Sequence, residues 1–254
     1  MAWDPGLYLS FGDHRLRPAL DLLARIPVES PRTVVDLGCG AGNVTKHLRR
    51  RWPAAKLLAL DSSSEMLERA RAEAPGVEFA RADAATWAPQ APVDVLYSNA
   101  LLHWLPDHQT LFPRLAACVA AGGVLGVQMP RNFNAPSHQS LYETVRNGPW
   151  RKRLEPMIRE EPVKDPVFYF DALAPRVESL DIWETEYAQI LEGENPVAEF
   201  VKGTWLKPFL DALAEPERSA FEADYRGRVL AHYPPQANGK TLFPFRRLFI
   251  VAAR

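Results

Sequence analysis

Short apolar runs, separated by turns and helical stretches, recur along the first half of the chain. They cover residues 33–35, 57–60, 77–80, 93–97 and 124–129. The runs are nearly continuous in hydrophobicity rather than alternating, which is typical of parallel strands covered on both faces. Because strands and helices alternate along the chain, the pattern predicts an open α/β sheet wound on both sides.

Two helices are predicted between the first three strands. Residues 43–52 form one of them, which ends before Pro53. The other begins at the sequence SSSE, where Ser62 can cap the helix while Glu65 reaches back to the cap. The expected buried face of this second helix consists of Met66, Leu67, Ala70 and Ala74.

The pattern changes after residue 129. Residues 179–189 and 248–253 predict two further strands, and residues 196–231 predict two or three amphipathic helices. We therefore expect a single domain over residues 1–254. Its core would comprise residues 1–130, 176–190 and 241–254, and residues 131–175 and 191–240 would form a mainly helical cap over the carboxyl edge of the sheet.

Composition and charge exclude several classes of protein. The chain has 254 residues, of which 47% are hydrophobic and 24% are charged, as in one large globular domain. Its net charge of −1 gives no general attraction to nucleic acid or to an anionic membrane. Cys39 and Cys118 are too few for a disulfide framework or a cysteine-based zinc site. With no signal peptide and no apolar run of about 18 residues, we expect a cytoplasmic protein. We also expect a monomer.

Polar residues follow each of the first four predicted strands, namely Asp36, Asp61, Asp83 and Asn99. In open α/β sheets, ligands bind outside the carboxyl ends of the strands, near the point where the strand order reverses. A single aspartate at a strand end is often only a helix cap. Three in succession beside a glycine-rich turn indicate a binding site.

The glycines of the first turn, in the sequence VVDLGCGAGNVT, lie at positions 38, 40 and 42. A dinucleotide site needs Gly-x-Gly-x-x-Gly, whose third glycine would fall at Asn43, and the Lys-Ser/Thr pair of a phosphate loop is absent. Asp36 would also repel a phosphate. The turn therefore predicts a ligand with positive charge, such as an amino group beside a sulfonium. Asp61 suits two ribose hydroxyls, and Asp83 with Ala84 suits an adenine ring.

This combination resembles the class I S-adenosylmethionine-dependent methyltransferases, through VVDLGCGAGNVT, LLALDSSSEML, RADAATW and LYSNALLHWLPD. A closer resemblance, to the trans-aconitate 2-methyltransferase family, runs over nearly the whole chain through WDPGLYLSF, RLRPALDLLARIP, HWLPDH, VQMPRNF and YPPQANGKTLFPFRRLFIVAAR. It implies a Rossmann-like sheet of seven strands with an antiparallel last strand. It also implies methyl transfer to a carboxylate of trans-aconitate, which gives the monomethyl ester and S-adenosylhomocysteine.

The resemblance implies an S-adenosylmethionine site, without metal and without a nucleic-acid or membrane partner. Its residues would be Asp36, Gly38, Cys39, Gly40, Asn43, Asp61, Ser62, Met66, Asp83, Ala84 and Asn99. A carboxylate acceptor is already ionised at neutral pH, so no general base is required. The enzyme then has to align and desolvate the reactants, and alignment alone contributes about 7–11 kcal/mol.

His103 is the obvious candidate for a base, but we interpret it as a substrate contact or as a histidine packed beside Trp104. The strand before it ends in SNAL, not in the Asn/Asp-Pro-Pro-aromatic sequence of methyltransferases that act on nucleic-acid amines. Tyr8, with Trp3 and Phe11, either holds the N-terminal arm by packing or folds over the sulfonium, because an aromatic face attracts cations. We expect Tyr8 and Trp104 to position the reactants.

Arginines from both ends of the chain are expected to hold the substrate carboxylates, because the planar guanidinium binds a carboxylate through two hydrogen bonds. The candidates are Arg15, Arg17, Arg246 and Arg247. Neighbours on a strand point to opposite faces, so Arg246 and Arg247 should not both reach the ligand. Arg15 and Arg247 are the predicted pair. The alternative is that these arginines are surface charges.

Other functions are also compatible with the sequence. One is a methyltransferase for another small acid or a lipid-like acceptor, since caps diverge more readily than cofactor sites. A second is a protein that binds S-adenosylmethionine without turning it over. An NAD-dependent dehydrogenase is disfavoured by the glycine spacing and by Asp36.

Overall fold

The computed structural model describes residues 12–254, with side chains from residue 14 onward. The helices are α1 (Gly12–Arg25), α2 (Thr45–Arg51), α3 (Ser64–Glu73), α4 (His108–Ala117), α5 (Pro136–Asn147), α6 (Arg151–Leu154), α7 (Pro166–Leu173), α8 (Pro196–Lys202), α9 (Lys207–Asp211) and α10 (Glu217–His232). The strands are β1 (Thr33–Leu37), β2 (Lys56–Asp61), β3 (Glu78–Arg81), β4 (Val93–Asn99), β5 (Val119–Pro130), β6 (Ser179–Leu191) and β7 (Thr241–Ala253).

Within the described residues, seven strands form one sheet in the order β3-β2-β1-β4-β5-β7-β6. The pairs β1–β2, β1–β4, β2–β3 and β4–β5 are parallel, and β7 is antiparallel to β5. The predicted α/β fold with an antiparallel last strand is therefore confirmed. The strand order reverses between β1 and β4, so their carboxyl ends flank the point where such sheets bind ligands.

Two strands begin several residues before the positions that the sequence predicts. β5 begins at Val119 rather than at residue 124, because Val119 pairs with Val93 before the register shifts. β7 begins at Thr241 rather than at residue 248. Its first half alternates between buried and less buried side chains and contains Pro244, so it does not form the continuous apolar run by which strands were predicted.

Helix α3 begins later than predicted, because Ser63 rather than Ser62 is its cap. The Ser63 Oγ accepts a hydrogen bond from the Met66 N–H at 3.3 Å. The Ser63 N–H itself donates to Asp61 Oδ1 at 2.9 Å, so the capping box that pairs Ser62 with Glu65 is wrong. On the predicted buried face, Leu67, Ala70 and Ala74 are buried and Met66 is half-buried.

Helix α1 covers one face of the sheet beside the switch point, and we call this the α1 face. The Tyr97 hydroxyl on β4 donates to the Ala19 carbonyl at 2.8 Å. Gly126 on β5 is the register partner of Tyr97, and a Cβ atom there would lie 3.0 Å from Ile26. The missing side chain of Gly126 therefore lets the helix pack close to the sheet.

The described chain divides into two compact units. One comprises Arg131–Glu161 and Glu186–Arg246, and it holds α5, α6 and α8 to α10. The other comprises Arg15–Pro130, Pro162–Thr185 and Arg247–Arg254, and it holds β1 to β5. Helix α7 lies in this second unit, where the Tyr169 hydroxyl is 2.7 Å from His108 Nδ1 of α4, whereas the sequence assigns its residues to the cap.

The corrected cap predicts a difference between two adjacent serines. Ser63→Ala should lower the free energy of unfolding by about 0.5–2 kcal/mol, the usual cost of losing an N-cap side chain. Ser62→Ala, at an exposed position, should change it by less than about 0.5 kcal/mol. Denaturant titration of both variants measures the difference, and an equal loss in the Ser62 variant would contradict the assignment of the cap.

Candidate active site

The turn between β1 and α2 holds three glycines in left-handed conformations. The φ angles are 81° at Gly38, 56° at Gly40 and 84° at Gly42, a region that other residues rarely adopt. The N–H groups of Gly38 and Cys39 donate to the Leu60 carbonyl at 2.8 and 2.9 Å. The turn is therefore fixed to the carboxyl end of β2.

The three glycines differ in what surrounds them. A Cβ atom at Gly38 would lie 2.6 Å from the Leu101 side chain, and one at Gly42 would lie 3.0 Å from the Ala70 backbone. Both positions therefore need glycine for close packing. A Cβ atom at Gly40 would meet no atom of the described residues within 4 Å. Among these residues, none therefore prevents a ligand from approaching the Gly40 backbone.

Asp36 lies in β1, one residue before the strand ends, and it is 2% exposed. Its Oδ2 accepts a hydrogen bond from the Thr45 hydroxyl at 2.6 Å. Burial raises the pKa of the Asp36 carboxyl to about 7, against the lowering effect of the Thr45 hydrogen bond and with a smaller contribution from the charge of Asp61. A carboxylate in such a place is stabilised by a nearby cation, which is the charge that the sequence predicts for the ligand.

Asp61, the last residue of β2, connects two parts of the site. Its Oδ2 accepts a hydrogen bond from the Gly40 N–H at 3.0 Å, and its Oδ1 accepts one from the Ser63 N–H at 2.9 Å. An ionised carboxylate has about four acceptor positions, so capacity for two hydroxyl groups remains. Asp61 therefore holds both the glycine turn and the start of α3 while it can still bind a ligand.

The other predicted cofactor residues surround this turn. Asp83 is exposed two residues after β3, and its Oδ1 accepts a hydrogen bond from the Ala85 N–H at 2.9 Å. Cys39 is buried, and burial raises the pKa of its thiol, so the thiol stays protonated and unreactive. Ala84 is buried, Asn43 and Met66 are half-buried, and Ser62 is exposed.

Asn99 ends β4, and its environment is unusual. Its Oδ1 is buried and has no hydrogen-bond partner within residues 12–254. The next residue, Ala100, has a φ of 52°, and its N–H donates to the Gln128 carbonyl at 2.9 Å. A left-handed alanine and an unsatisfied buried oxygen both cost free energy, and such features gather at functional sites.

A short 3-10 turn after β4 carries His103 and Trp104. His103 is buried, Trp104 is half-buried, and their ring centroids are 4.8 Å apart. The two rings therefore pack together next to the end of β4. Tyr8, like Trp3 and Phe11, lies outside the described residues, and its role stays a prediction.

The candidate arginines differ in burial. Arg247 on β7 is 5% exposed, whereas its neighbour Arg246 is exposed and has its Nη2 3.7 Å from Glu186 Oε2. The predicted alternation along the strand thus places one arginine inward and the other in solvent. On α1, Arg15 is half-buried and Arg17 is exposed.

Two polar residues near the site were missed by the sequence reasoning. Thr45, in the first turn of α2, is the hydrogen-bond donor to Asp36. Gln128 is fully buried in β5. The available signal for Gln128 was a lone polar residue inside the apolar run VLGVQMP.

Solved structures share this fold. The YcgJ protein from Bacillus subtilis matches with a TM-score of 0.60 at 16% identity, over 94% of this chain and 99% of that one. A phosphoethanolamine N-methyltransferase from Haemonchus contortus, solved with S-adenosyl-L-methionine, matches with a TM-score of 0.58 at 15% identity, over 97% of this chain and 56% of that one. Residues 34–123 match the family model described as a methyltransferase domain. Fold and site together define an S-adenosylmethionine-dependent methyltransferase of class I.

Curated relatives narrow this class. A trans-aconitate 2-methyltransferase from Azoarcus sp. (strain BH72) is 48% identical over 252 residues, with 99% of both chains covered. One from Rhizobium rhizogenes is 44% identical over 255 residues, with 100% of both chains covered. The chain belongs to the trans-aconitate 2-methyltransferase family.

The residues present fit S-adenosylmethionine. Asp36 offers a buried carboxylate for a cationic group, and Asp61 offers free acceptor positions for ribose hydroxyls. Gly40 leaves open space beside the turn, and the Asn99 Oδ1 is a buried acceptor that still needs a donor. Among the described residues, no group of three His, Cys, Asp or Glu could hold a metal ion, and no helix has the length and apolar character to traverse a bilayer.

The raised pKa of Asp36 predicts that cofactor binding depends on pH. The ionised carboxylate should bind the cationic cofactor, so the dissociation constant should rise up to about tenfold per pH unit as the pH falls below about 7. Asp36→Asn should weaken binding and remove this dependence. Thr45→Val, which removes the hydrogen bond that lowers the pKa, should move the midpoint to higher pH. Calorimetry between about pH 5.5 and 8.5 measures both effects.

The free energy of unfolding of the cofactor-free protein should decrease as the pH rises, whereas the affinity for the cofactor increases. A folded-state pKa above the ordinary value favours the folded protein at low pH, and this contribution is lost as the pH rises through about 7. Thermal unfolding of the original protein and Asp36→Asn, compared across the same pH range, tests the sign. A cofactor affinity in the original protein that stays constant across this range would contradict a binding role for ionised Asp36.

Asp61→Ala should weaken both cofactor binding and the glycine turn. Loss of hydrogen bonds to a charged acceptor costs about 1.5–3 kcal/mol, which corresponds to about 10- to 150-fold in affinity. Because Gly40 and Ser63 lose their acceptor as well, the melting temperature should also fall. Glu68→Ala, which removes the same charge from an exposed position of α3, is the control and should leave both measurements unchanged.

Proposed function

We propose that the protein transfers a methyl group from S-adenosylmethionine to a carboxylate of trans-aconitate and forms the monomethyl ester. The observation that carries this proposal is 48% identity, over 99% of both chains, to a relative named trans-aconitate 2-methyltransferase. The proposal assigns the buried guanidinium of Arg247 to the anionic acceptor. A cytoplasmic location, a monomeric state and a single catalytic domain remain predictions from the sequence.

The cofactor would be held by side chains at or near the carboxyl ends of three neighbouring strands. Asp36 would face its cationic end, Asp61 its ribose, and Asn99 would accept a hydrogen bond from it. When bound, S-adenosylmethionine supplies an electrophilic methyl group on a sulfonium. The glycine turn, which is hydrogen-bonded to Leu60 and Asp61, would hold this cofactor in a fixed orientation.

The acceptor needs no proton transfer. Carboxylates are ionised at neutral pH, so one oxygen of the substrate can form the new bond without a general base. His103 would then contact or enclose the substrate, which agrees with its burial against Trp104. Alignment of the two reactants and exclusion of water would supply the acceleration.

Opposite charges are buried on the same face of the sheet. Of the described aspartates, glutamates, lysines and arginines, only Asp36 and Arg247 are buried. Asp36 on β1 pairs in register with Tyr97 on β4, and Tyr97 pairs with Gly126 on β5. Gly126 in turn pairs with Val251 on β7, four residues after Arg247. Because side chains alternate along a strand, both charged groups point to the α1 face. A cationic donor would bind near one and an anionic acceptor near the other.

The direct test is a screen of organic acids with a labelled methyl donor. Trans-aconitate should be the best acceptor, and the product should be its monomethyl ester. Faster turnover of a different acid would identify that acid, rather than trans-aconitate, as the substrate, and would still support a methyltransferase. Cofactor binding without turnover of any acid would favour a protein that only binds S-adenosylmethionine.

The arginine assignment predicts a loss of substrate affinity. Arg247→Ala should raise the KM for the acid about 30- to 5,000-fold, because loss of one partner of a desolvated charge pair costs about 2–5 kcal/mol. Arg15→Ala should act in the same direction. Arg247→Lys keeps the charge without the planar fork and should have an intermediate effect. Cofactor affinity should remain within about threefold in each variant.

Arg246→Ala is the matched control, since Arg246 is the exposed neighbour on the same strand. It should leave the KM for the acid unchanged. Normal saturation by the acid in both the Arg15→Ala and Arg247→Ala variants would refute the assignment and direct attention to Arg17 or Arg131.

A further inference from the structure

Gln128 carries a buried amide whose two polar atoms have no hydrogen-bond partner among the described residues. Its side chain is 0% exposed, and neither Oε1 nor Nε2 has a hydrogen-bond partner within the described residues. The strand around it is otherwise apolar, with Val127 and Met129 fully buried on either side. Buried amides are normally hydrogen-bonded, so this one has both a donor and an acceptor available for a ligand.

Gln128 lies between the two ends of the proposed site. Its register partners are Asn99 on β4 and Phe249 on β7, so all three side chains share the α1 face. From strand spacing and rise, Gln128 is about 12 Å from Asp36 and about 8 Å from Arg247 between Cα positions. Gln128 is therefore nearer to the guanidinium that would bind the acid than to the carboxylate that would face the cofactor.

Its other neighbours limit what can satisfy the amide from within the protein. Phe249 is fully buried and stacks on Trp183 with centroids 4.8 Å apart, so the register partner of Gln128 on β7 is an apolar side chain. On the other side, the Asn99 Oδ1 is also without a partner. The Ala100 N–H donates to the Gln128 carbonyl, which fixes the end of β4 to this residue of β5. The Gln128 amide and the unsatisfied Asn99 Oδ1 therefore belong to adjacent positions on neighbouring strands.

A neutral amide suits the carboxylate that reacts better than an arginine does. A bidentate guanidinium engages both oxygens of a carboxylate and offsets its charge, which lowers its reactivity as a nucleophile. One N–H of an amide can hold a single oxygen and leave the other free to attack. In that attack the oxygen forms the new bond to the methyl carbon, the C–S bond breaks, its electron pair stays on sulfur, and no proton moves.

We propose that Gln128 binds the acceptor carboxylate and orients it for methylation, while Arg247 binds a carboxylate that does not react. This inference rests on the proposed function, because it names the residue that selects which carboxylate is methylated. The proposal assigns different roles to Arg247 and Gln128. Arg247 contributes to substrate affinity, whereas Gln128 contributes to the reacting geometry.

Gln128→Met keeps the approximate shape of the side chain and removes both hydrogen-bonding atoms. The melting temperature of the ligand-free protein should rise by about 2 °C or more, because an unsatisfied buried amide is removed. The kcat for the acid should fall about 10- to 150-fold with a smaller change in KM, and cofactor affinity should stay within about threefold. Gln128→Glu should lower kcat further, since a carboxylate there would repel the substrate.

Gln189→Met is the matched control. Gln189, on β6, is 3% exposed, and both of its amide atoms also lack partners in the described chain. This variant should raise the melting temperature without changing kcat. An equal loss of kcat in the Gln189 variant would overturn the proposal.

Two further outcomes would also overturn the role of Gln128. A lower melting temperature with unchanged kinetics in Gln128→Met would show that the amide holds a structural water. Weakened cofactor binding with normal acid kinetics would assign Gln128 to the cofactor. The original protein, assayed in parallel, tests the proposed function separately: if it prefers another acid, the kcat ratios are measured with that acid.

Discussion

The burial of Asp36 is the constraint on which the rest of the site depends. A carboxylate without solvent is unfavourable unless hydrogen bonds or a cation compensate, and Thr45 supplies one hydrogen bond. The glycine turn that follows cannot collapse onto the carboxylate, because it is fixed to Leu60 and Asp61 of the neighbouring strand. The switch point of the sheet therefore presents a buried carboxyl group whose ionised form a bound cation would stabilise.

The sheet keeps the opposite charge on a different strand. Asp36 and Arg247 share one face but lie three strands apart and several residues out of register, which places their Cα atoms about 20 Å from each other. At this separation their mutual attraction is weak, so neither neutralises the other. Adjacent placement would have produced a stable ion pair and no site. Separation keeps these two charges from pairing with each other, which is compatible with transfer from a sulfonium to a carboxylate.

The sequence predicted the parts of this structure that depend on local patterns. Continuous apolar runs indicated the parallel strands, and Asp36 and Asp61 stood out because acids at successive strand ends are chemically informative. The start of β7 was missed because a half-buried strand with Pro244 does not form such a run. The sequence predicted the helix cap one residue too early, at Ser62. Which serine caps the helix depends on the hydrogen bond from the Ser63 N–H to Asp61, which the local pattern does not reveal. Thr45 and Gln128 could not be assigned, since their neighbours are set by tertiary packing and strand register.

Unsatisfied polar atoms alone do not mark a site in this protein. Buried amide atoms without partners among the described residues also occur at Asn132, where only Nδ2 is unsatisfied, and at Gln189, both in the helical unit. Asn99 and Gln128 differ from these two residues because strand register places them side by side. The N–H of the left-handed Ala100 also donates to the Gln128 carbonyl. The same face of the sheet carries Asp36 and Arg247. Each of these features opposes stability in the ligand-free protein. Their concentration at one edge of a sheet that is otherwise regular is explained if ligands supply the missing charge and hydrogen bonds, since binding then stabilises the folded state.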